Sequence, residues 1–537
     1  MCVSLWKGIF MGIYINPGNC GFQRILNSEY VDKTGLLRLI NDVIDTVDNL
    51  VCVSRPRRFG KSFAAQMLCA YYDCSCDSHA LFDDKDIAQT EGYLLHLNKY
   101  YVINLDITSF ISEAKRRRIS LADVPNEIVN AVHEELKNMV PNSTGKESLM
   151  EDLIHCVEET GRKFIFIIDE WDALIREAEN EAEIQLAYLN LLREWFKNSS
   201  FTSKVVAAAY ITGILPIKKD GSQSAISDFT EYPILNPGKF AKFTGFTQEE
   251  VKELCEKHGL SFGEAKNWYD GYDFSGAGAV YNPYSVMCAV KKQEFQSYWR
   301  KTSAAESLMT YINMDFEGMQ EIISRLISGE KIEVETDSFE NDFETFKSRD
   351  DVLTLLIHLG YLTWDRKDKS ARIPNEEVRA EFRKILKVEN GNRKWTELIS
   401  RSLKLLEDTI AGDSDQVVKA IEAGRTTQYA PTFYNNEQAL RYVIKFAYIA
   451  AAEHYLKIEE LSSGHGIADV VFIPKRMSKY PAMVVELKWN KSSGGAIRQI
   501  KEKKYPVVLM DYGKEIVLVG ISYDEKTKRH GCLIERV

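Results

Sequence analysis

The segment Arg55–Ser62, with the sequence RPRRFGKS, ends in a glycine, a lysine and a hydroxyl group at adjacent positions. It follows the apolar run LVCVS and precedes the amphipathic stretch FAAQMLCAYY. Backbone N–H groups at a helix start bind phosphate oxygens, and a lysine and a serine placed there reach the β/γ-phosphates and Mg²⁺. Gly60 would let the chain approach the phosphates closely. We therefore predict an ATP·Mg²⁺ site formed by Arg55, Pro56, Arg57, Arg58, Phe59, Gly60, Lys61 and Ser62.

This segment departs from the standard phosphate-binding motif at one position. The motif G-x-x-x-x-G-K-S requires a glycine where this chain has Arg55. A chance Gly-Lys-Ser tripeptide is therefore the alternative to a phosphate-binding loop. The substitution leaves two alternatives open, a site that hydrolyses ATP and a site that only binds it.

A second acidic motif supports the phosphate-binding interpretation. The apolar run FIFIID ends at Asp169, and Glu170 follows directly. At the end of a buried strand, Asp169 would hold Mg²⁺ directly or through water, and Glu170 would polarise the attacking water. Thr212, which closes the next apolar run, suits a polar sensor of the γ-phosphate. The alternative for the DEWD sequence is an acidic turn on the surface.

A third set of residues lies near the C-terminus, in the sequences IADVVFIPK and VVELK. Glu486 and Lys488 are two residues apart in a strand pattern, so their side chains point to the same face. An antiparallel pairing would bring Asp469 beside Glu486, where two carboxylates need a cation such as Mg²⁺. Lys488 would orient and activate the water that attacks a phosphodiester. The alternative is an ion pair at a strand edge, which would stabilise the fold little. Glu437 is a plausible additional metal-binding carboxylate.

These residues need a scaffold of parallel strands and helices. Four apolar runs, 50–54, 101–107, 164–169 and 205–212, alternate with amphipathic stretches, as in a parallel sheet covered by helices on both faces. Residues 351–386 predict a helix, two short strands and a helix, the outline of a winged-helix unit. Such a unit either contacts DNA or serves as a structural adaptor. The C-terminal strands are predicted at 467–473, 482–488, 507–510 and 516–521.

The composition is that of an ordinary globular protein. The 537 residues carry a net charge of −10, with 45% hydrophobic and 27% charged residues. The length predicts roughly three to four domains. The negative overall charge does not by itself indicate nucleic-acid binding, although basic runs such as Lys115–Arg118 occur locally. No run of eighteen apolar residues and no signal peptide is recognisable, so no membrane partner and a cytoplasmic location are expected.

The cysteines indicate reduced thiols. Ten cysteines are spread along the chain without a disulfide pattern. Cys69, Cys74, Cys76 and His79 have a spacing that fits no well-known structural zinc site. We interpret them as reduced cysteines in and near a loop.

Six segments of the chain together resemble a known family. They are YVDKT, RPRRFGKS, IDEWD, ITGI, GFTQEEV and WYDGY…VYNPYS. They are similar to the bacterial AAA-ATPase-like family, whose members typically carry a C-terminal PD-(D/E)XK-type nuclease domain. The resemblance implies that Arg55 is a family feature, and that Gln499 and Tyr505 match the helix after the nuclease motif. It also implies a restriction-endonuclease-like fold for the C-terminal α/β domain.

The predicted organisation is an α/β multidomain chain with four parts. These are an N-terminal extension (1–20), a P-loop ATPase domain (21–290), a helical and winged-helix-like region (291–386) and a nuclease-like domain (387–537). The first functional hypothesis is an ATP-regulated nuclease acting on DNA with Mg²⁺ or Mn²⁺, in conflict with phages or mobile elements. The others are an ATP-switched module that binds nucleic acid without cutting, and an ATPase adaptor with structural acidic clusters. An oligomer is compatible with each.

Overall fold

The computed structural model describes most of the chain. The described residues are 10–140, 148–178, 181–217, 219–220, 223–224, 226, 228–274, 278–299, 318–337, 339, 348–388, 393–425, 444, 448, 451, 454–462, 467–474, 480–503, 509 and 515–537. Its α-helices are α1 (Cys20–Leu26), α2 (Gly35–Asn41), α3 (Lys61–Tyr72), α4 (His79–Phe82), α5 (Tyr93–His96), α6 (Ile107–Arg117), α7 (Val124–Met139), α8 (Leu149–Thr160), α9 (Ala173–Glu177), α10 (Ala182–Phe196), α11 (Ser199–Val205), α12 (Gln248–His258), α13 (Phe262–Tyr269), α14 (Pro283–Lys292), α15 (Met319–Ile327), α16 (Arg349–His358), α17 (Glu376–Val388), α18 (Arg393–Ala411), α19 (Ser414–Arg425) and α20 (Ser493–Glu502).

The strands form several sheets. They are β1 (Leu50–Ser54), β2 (Tyr101–Asp106), β3 (Phe164–Asp169), β4 (Val206–Gly213), β5 (Lys219–Asp220), β6 (Gln223–Ser224), β7 (Thr230–Tyr232), β8 (Phe246–Thr247), β9 (Tyr272–Phe274), β10 (Gly278–Tyr281), β11 (Ile332–Glu333), β12 (Thr363–Asp365), β13 (Ser370–Arg372), β14 (Tyr455–Ser462), β15 (Ile467–Pro474), β16 (Ala482–Trp489), β17 (Ile516–Asp524) and β18 (Arg529–Arg536). The chain divides into two compact units, one of Met1–Lys301 with Glu333–Val378 and one of Thr302–Ile332 with Arg379–Val537.

A five-stranded parallel sheet forms the centre of the first unit. The strand order is β2-β3-β4-β1-β7, so β4 lies between β1 and β3. Alternate residues of β1 and β3 enter two different hydrophobic clusters. In β1, for example, Cys52 belongs to one cluster and Val53 to the other. The predicted parallel sheet with both faces covered is therefore confirmed. Because the strands are parallel, their carboxyl ends meet at one edge, where the predicted phosphate-binding residues lie.

The segment after the sheet has the predicted order of a helix, two short strands and a helix. These elements are α16, β12, β13 and α17, and β11 completes a small sheet in the order β11-β13-β12. Helix α16 is buried around its whole circumference from Asp351 to His358. It therefore has no free face for a DNA groove, which favours the adaptor interpretation of this winged-helix-like segment.

A mixed five-stranded sheet forms the centre of the second unit. Its order is β14-β15-β16-β17-β18, and only the β16–β17 pair is parallel. Helix α20 packs on one face through Ile497 and Ile500, and α18 and α19 pack on the other. Most of the predicted strand 507–510 lies outside the described residues. Within the described parts of the chain, the longest apolar helices fall short of what a membrane crossing requires.

Buried His358 predicts a specific pH dependence of stability. Its ring stacks on Phe339, and burial lowers its pKa to about 3. In the unfolded chain a histidine has a pKa of about 6.5, so between these values the unfolded chain binds a proton that the folded protein does not. The free energy of unfolding should therefore fall by up to about 1.4 kcal/mol per pH unit as the pH drops below about 6.5.

We expect His358→Leu to reduce this pH dependence. Urea denaturation of the full chain between pH 7 and pH 5 would show a smaller loss of stability for His358→Leu than for the wild type. His79→Asn, a change at an exposed histidine of α4, is the control and should keep the wild-type slope. Equal slopes for the wild type and His358→Leu would contradict the prediction.

Candidate functional site

The segment between β1 and α3 has the geometry of a phosphate-binding loop. Gly60 has a φ of +84° and precedes the first residue of α3, Lys61. Arg58 also has a positive φ, +72°. Because the first N–H groups of a helix have no partner within the helix, this end of α3 offers donors and a positive dipole to an anion. The predicted loop therefore has a helix start where phosphate binding requires one.

Arg55, which replaces the first glycine of the motif, is completely buried. Its Nε donates to Thr244 Oγ1 at 2.8 Å, and its Nη1 donates to the carbonyl oxygens of Ser54 and Tyr232 at 2.8 and 2.6 Å. The guanidinium also lies 5.1 Å from the centre of the Phe274 ring. Burial lowers its pKa to about 10. The side chain therefore anchors the start of the loop to β7, to Thr244 and to β9.

We expect that restoring the standard motif with Arg55→Gly would destabilise the protein. The substitution removes three hydrogen bonds of a buried cation and should lower the free energy of unfolding by about 3 kcal/mol. Thermal or urea denaturation measures this loss. Arg116→Gly changes an exposed arginine that pairs with Glu113 and controls for loss of charge, although glycine within α6 costs about 1 kcal/mol by itself. A stability loss for Arg55→Gly no larger than that of the control would contradict this role.

Lys61 and Glu170 belong to a chain of paired charges. The Nζ of Lys61 lies 3.3 Å from Glu170 Oε1 and donates to the carbonyl oxygens of Arg55 and Pro56. The other Glu170 oxygen accepts from Arg176 Nη2 at 2.7 Å. Burial opposes the ionisation of Glu170, but Lys61, Arg176 and Arg57 outweigh it and lower the pKa of its carboxyl group. Glu170 is therefore kept as a carboxylate, the form that can accept a proton.

Asp169 and Thr212 occupy neighbouring strand ends. The register of the sheet pairs Asp169 of β3 with Thr212 of β4. Burial raises the pKa of Asp169 to about 6, although a hydrogen bond with Ser62 and the charge of Lys61 lower it. The Thr212 hydroxyl is buried and has no hydrogen-bond partner within the described residues. The Asp169 carboxylate beside the Ser62 hydroxyl is a suitable ligand pair for Mg²⁺. With the Thr212 hydroxyl nearby, these residues fit a metal-bound triphosphate.

The C-terminal acidic residues are brought together by the pairing of β15 with β16. Val470 pairs with Val485, so Asp469 and Glu486 are the next residues on the two antiparallel strands. The carboxylate of Asp469 accepts a hydrogen bond of 2.9 Å from the Leu487 N–H. Lys488 lies on the same face of β16 as Glu486, and its Nζ donates to Glu486 Oε1 at 3.0 Å. The predicted cluster of two acids and a lysine is present in this sheet.

Glu486 is the most constrained member of this cluster. Its side chain is 2% exposed, and its Oε1 also accepts a hydrogen bond from Gln499 of α20. Its Oε2 is buried and has no hydrogen-bond partner in the described part of the chain. Burial, followed by the charge of Asp469, raises the pKa of Glu486 to about 6. An unpartnered carboxylate oxygen beside a second carboxylate fits a divalent cation, which would neutralise both groups.

Comparison with known proteins identifies both regions. The family described as a predicted AAA-ATPase matches residues 18–222. The PD-(D/E)XK nuclease superfamily matches residues 435–531. The chain carries an AAA-ATPase-like domain and a PD-(D/E)XK nuclease superfamily domain. It is also 22% identical over 518 residues to a protein of Azotobacter chroococcum mcd 1 described as an uncharacterized protein in the vnfD 5′ region, with 93% of each chain covered.

Two solved structures are similar to the chain at low scores. The ORC2 protein of Aeropyrum pernix, in ADPNP–ADP complexes, matches with a TM-score of 0.29 and 11% identity, covering 68% of this chain and 97% of that chain. A DNA replication initiation factor matches with a TM-score of 0.22 and 10% identity, covering 79% of this chain and 96% of that chain.

Most of the predicted site residues of the PD-(D/E)XK domain converge. Asp469, Glu486, Lys488 and Gln499 form one group, whereas Glu437 and Tyr505 lie outside the described residues. The ion pair of Glu486 and Lys488 is present, but it lies in the third of five strands and Glu486 is buried, so it is not at an edge of the sheet. Across the described ranges, no group of three or more His, Cys, Asp or Glu side chains is placed to hold a metal.

Three residues that position the sites were not predicted as site residues. Asp172 is buried in the AAA-ATPase-like domain, and its Oδ2 accepts from the N–H groups of Ile214 and Leu215 at 3.1 and 2.9 Å. Arg176 bridges Asp172 and Glu170. The signal for Asp172 was its place in the IDEWD motif, whereas Arg176, on α9, carried no motif signal.

In the PD-(D/E)XK domain the third such residue is Gly520. A Cβ atom on Gly520 would lie 2.4 Å from the carbonyl oxygen of Ser493, at the start of α20. The register pairs Gly520 with Glu486. Only glycine allows α20 to approach β17 this closely, and this approach lets Gln499 reach Glu486.

The cysteine-rich stretch has a structural explanation. Cys69, Cys74 and Cys76 are buried free thiols. Asp73, between them, accepts hydrogen bonds from the N–H groups of Gly18 and Ser75. These contacts agree with the interpretation of reduced cysteines near a loop.

Proposed function

We propose that the protein binds and hydrolyses ATP in its AAA-ATPase-like domain, and that the nucleotide controls a divalent-metal-dependent nuclease that acts on DNA. The buried carboxylate of Glu486 carries the proposal. It meets Lys488 and Gln499 and lies beside Asp469, and its second oxygen has no partner among the described residues. A buried acid in this setting is costly for stability alone, so a role in binding a cation is the better explanation.

In the nuclease reaction each residue would have a separate role. Asp469 and Glu486 would hold Mg²⁺ or Mn²⁺, which supplies positive charge to a phosphodiester when bound. Lys488, whose Nζ is 3.0 Å from Glu486 Oε1, would orient the attacking water. Gln499 would keep the Glu486 carboxylate in the orientation that the cation requires, by holding the oxygen that faces α20.

In the ATPase reaction the residues at the carboxyl edge of the parallel sheet would act together. Lys61 would bind the phosphates, while Ser62 and Asp169 would hold Mg²⁺. Glu170 is kept ionised by the surrounding cations and would accept a proton from the attacking water. The unpartnered hydroxyl of Thr212 would donate to the γ-phosphate.

A cleavage assay tests the proposal. Purified full-length protein is incubated with plasmid DNA or single-stranded DNA, with Mg²⁺ or Mn²⁺, and with or without ATP. Wild-type protein should cut DNA, and Lys488→Ala should not. Lys61→Ala should still cut DNA in the presence of the metal ion, but its cleavage should no longer respond to ATP.

Two outcomes would contradict the proposal in different ways. A mobility shift without cleavage by the wild type would favour a module that binds nucleic acid without cutting it. Absence of both nucleotide binding and cleavage would favour an adaptor whose acidic clusters are structural.

A further inference from the structure

The loop between β1 and α3 contains three arginines, and two of them have structural partners. The guanidinium of Arg55 is held by the hydrogen bonds described above. Arg58 donates to the carbonyl oxygen of Tyr298 at 2.7 Å and lies 4.4 Å from the centre of the Tyr284 ring. Both side chains therefore hold the loop against other parts of the same unit, and the Nη2 of Arg55 is buried without a hydrogen-bond partner among the described residues.

Arg57 differs from its two neighbours. It is partly buried, and its guanidinium has no hydrogen bond to any residue that the structure describes. Its electrostatic neighbours are Arg176, Glu170 and Asp172. Burial lowers the pKa of Arg57, and the nearby charge of Arg176 lowers it further. The charges of Glu170 and Asp172 act in the opposite direction, but neither acid forms an ion pair with Arg57 among the described residues. The guanidinium is therefore available to pair with an incoming anion.

The other cations of this cluster already have acidic partners. Arg176 pairs with Glu170 at 2.7 Å and with Asp172 at 3.0 Å. Lys61 pairs with Glu170 at 3.3 Å and would be required at the phosphates themselves. Arg57 forms no ion pair with any residue that the structure describes, and it lies in the loop that contains the phosphate-binding amides. Its guanidinium can therefore meet the additional negative charge of a γ-phosphate.

Residues of the same chain also contact the loop. A Cβ atom on Gly360 would lie 2.7 Å from the Pro56 Cβ and 3.2 Å from the Trp299 ring. Tyr361, which follows Gly360 in the sequence, interacts electrostatically with Arg57. The side of the loop at Pro56 is thus covered by residues of the same unit.

We propose that Arg57 is the arginine that contacts the terminal phosphate of ATP in its own chain, so that hydrolysis needs no arginine from a second subunit. This inference rests on the proposed ATPase function and extends it to the residue that neutralises the γ-phosphate. An arginine in this role stabilises the negative charge of the transferring group and discriminates a triphosphate from a diphosphate.

Binding measurements on Arg57→Ala test the contact without relying on turnover. Calorimetry with the full chain should show that the Kd for the non-hydrolysable analogue AMPPNP rises about 10- to 100-fold, while the Kd for ADP changes little. The hydrolysis rate should fall on the order of 10³-fold. Arg57→Lys, which keeps the charge but not the fork of donors, should recover part of the AMPPNP affinity. Equal weakening of ADP and AMPPNP would instead mean that Arg57 only supports the loop.

A mixing experiment tests whether Arg57 acts within its own chain. Lys61→Ala removes the phosphate-binding lysine but keeps Arg57, whereas Arg57→Ala keeps the lysine. If the arginine acted on a neighbouring subunit, a mixture of the two variants would regain a measurable fraction of wild-type hydrolysis. We expect no recovery, and recovery would overturn the proposal. Wild-type protein that binds no nucleotide would refute the proposed function itself, whereas wild-type activity retained by Arg57→Ala would refute this inference alone.

Discussion

Glu170→Gln should bind ATP and hydrolyse it about 10²- to 10⁴-fold more slowly than the wild type, the range expected for loss of a general base. Glutamine keeps the size of the side chain but cannot accept the proton of the attacking water. Glu170 is the only site residue with hydrogen-bond or ion-pair distances to both Lys61 and Arg176 within the described structure. Removal of its charge should free Lys61 for the phosphates, so ATP affinity should be retained or increased.

Calorimetric Kd values and a phosphate-release assay measure the two halves of this prediction. Glu177→Gln is the matched control, because Glu177 is an exposed acid at the end of α9 that pairs with Lys115. It should hydrolyse ATP at close to the wild-type rate. A Glu170→Gln variant with hydrolysis within about threefold of the wild type would show that another group activates the water.

Glu486→Gln should slow metal-dependent DNA cleavage on the order of 10³-fold. It removes one of the two adjacent carboxylates while leaving a side chain that can still meet Lys488 and Gln499. Burial and Asp469 already raise the pKa of Glu486 to about 6, so a neutral glutamine should not destabilise the metal-free protein. The stabilisation of the wild type by Mn²⁺ in a thermal melt should be reduced in the variant.

The control for this prediction is Glu525→Gln, at an exposed acid that accepts from Asn490. It should keep both cleavage and the Mn²⁺ response. Nucleotide binding should be unaffected in either variant, which separates this site from the ATPase site. Cleavage retained by Glu486→Gln would mean that the cut is made elsewhere or by a contaminating nuclease.

The central strands of both sheets could be predicted because their sequences are simple. Strands β1, β3 and β4 are buried on both faces and are therefore nearly continuous apolar runs. The outer strands β7, β14 and β18 were not predicted. Strand β14, with the sequence YLKIEELS, and strand β18, with RHGCLIER, lie at the two edges of their sheet and contain charged residues. The side chains of β18 are largely exposed or partly exposed to solvent. The assignment of the outer strands depends on neighbours that are remote in the sequence.

The candidate sites also contain some residues whose positions could be predicted from the sequence and others whose positions could not. The proximity of Glu486 and Lys488 follows from a spacing of two in a strand, and that of Asp469 follows from an antiparallel pairing. The placement of Gln499 was suggested only by resemblance to a family, because a helix contact across a sheet leaves no local pattern. Arg176 could not be predicted, since its importance comes from two carboxylates that it meets after folding.

The three partners of Lys61 have a consequence for anion selectivity. Any ligand that takes this ammonium group must displace two carbonyl oxygens and weaken its pairing with Glu170. Chloride or sulfate could replace one of these interactions but would bring no metal to Asp169 and Ser62. Abundant simple salts of the cell should therefore compete poorly for the loop, and magnesium-bound polyphosphates should occupy it even when they are the minority anion.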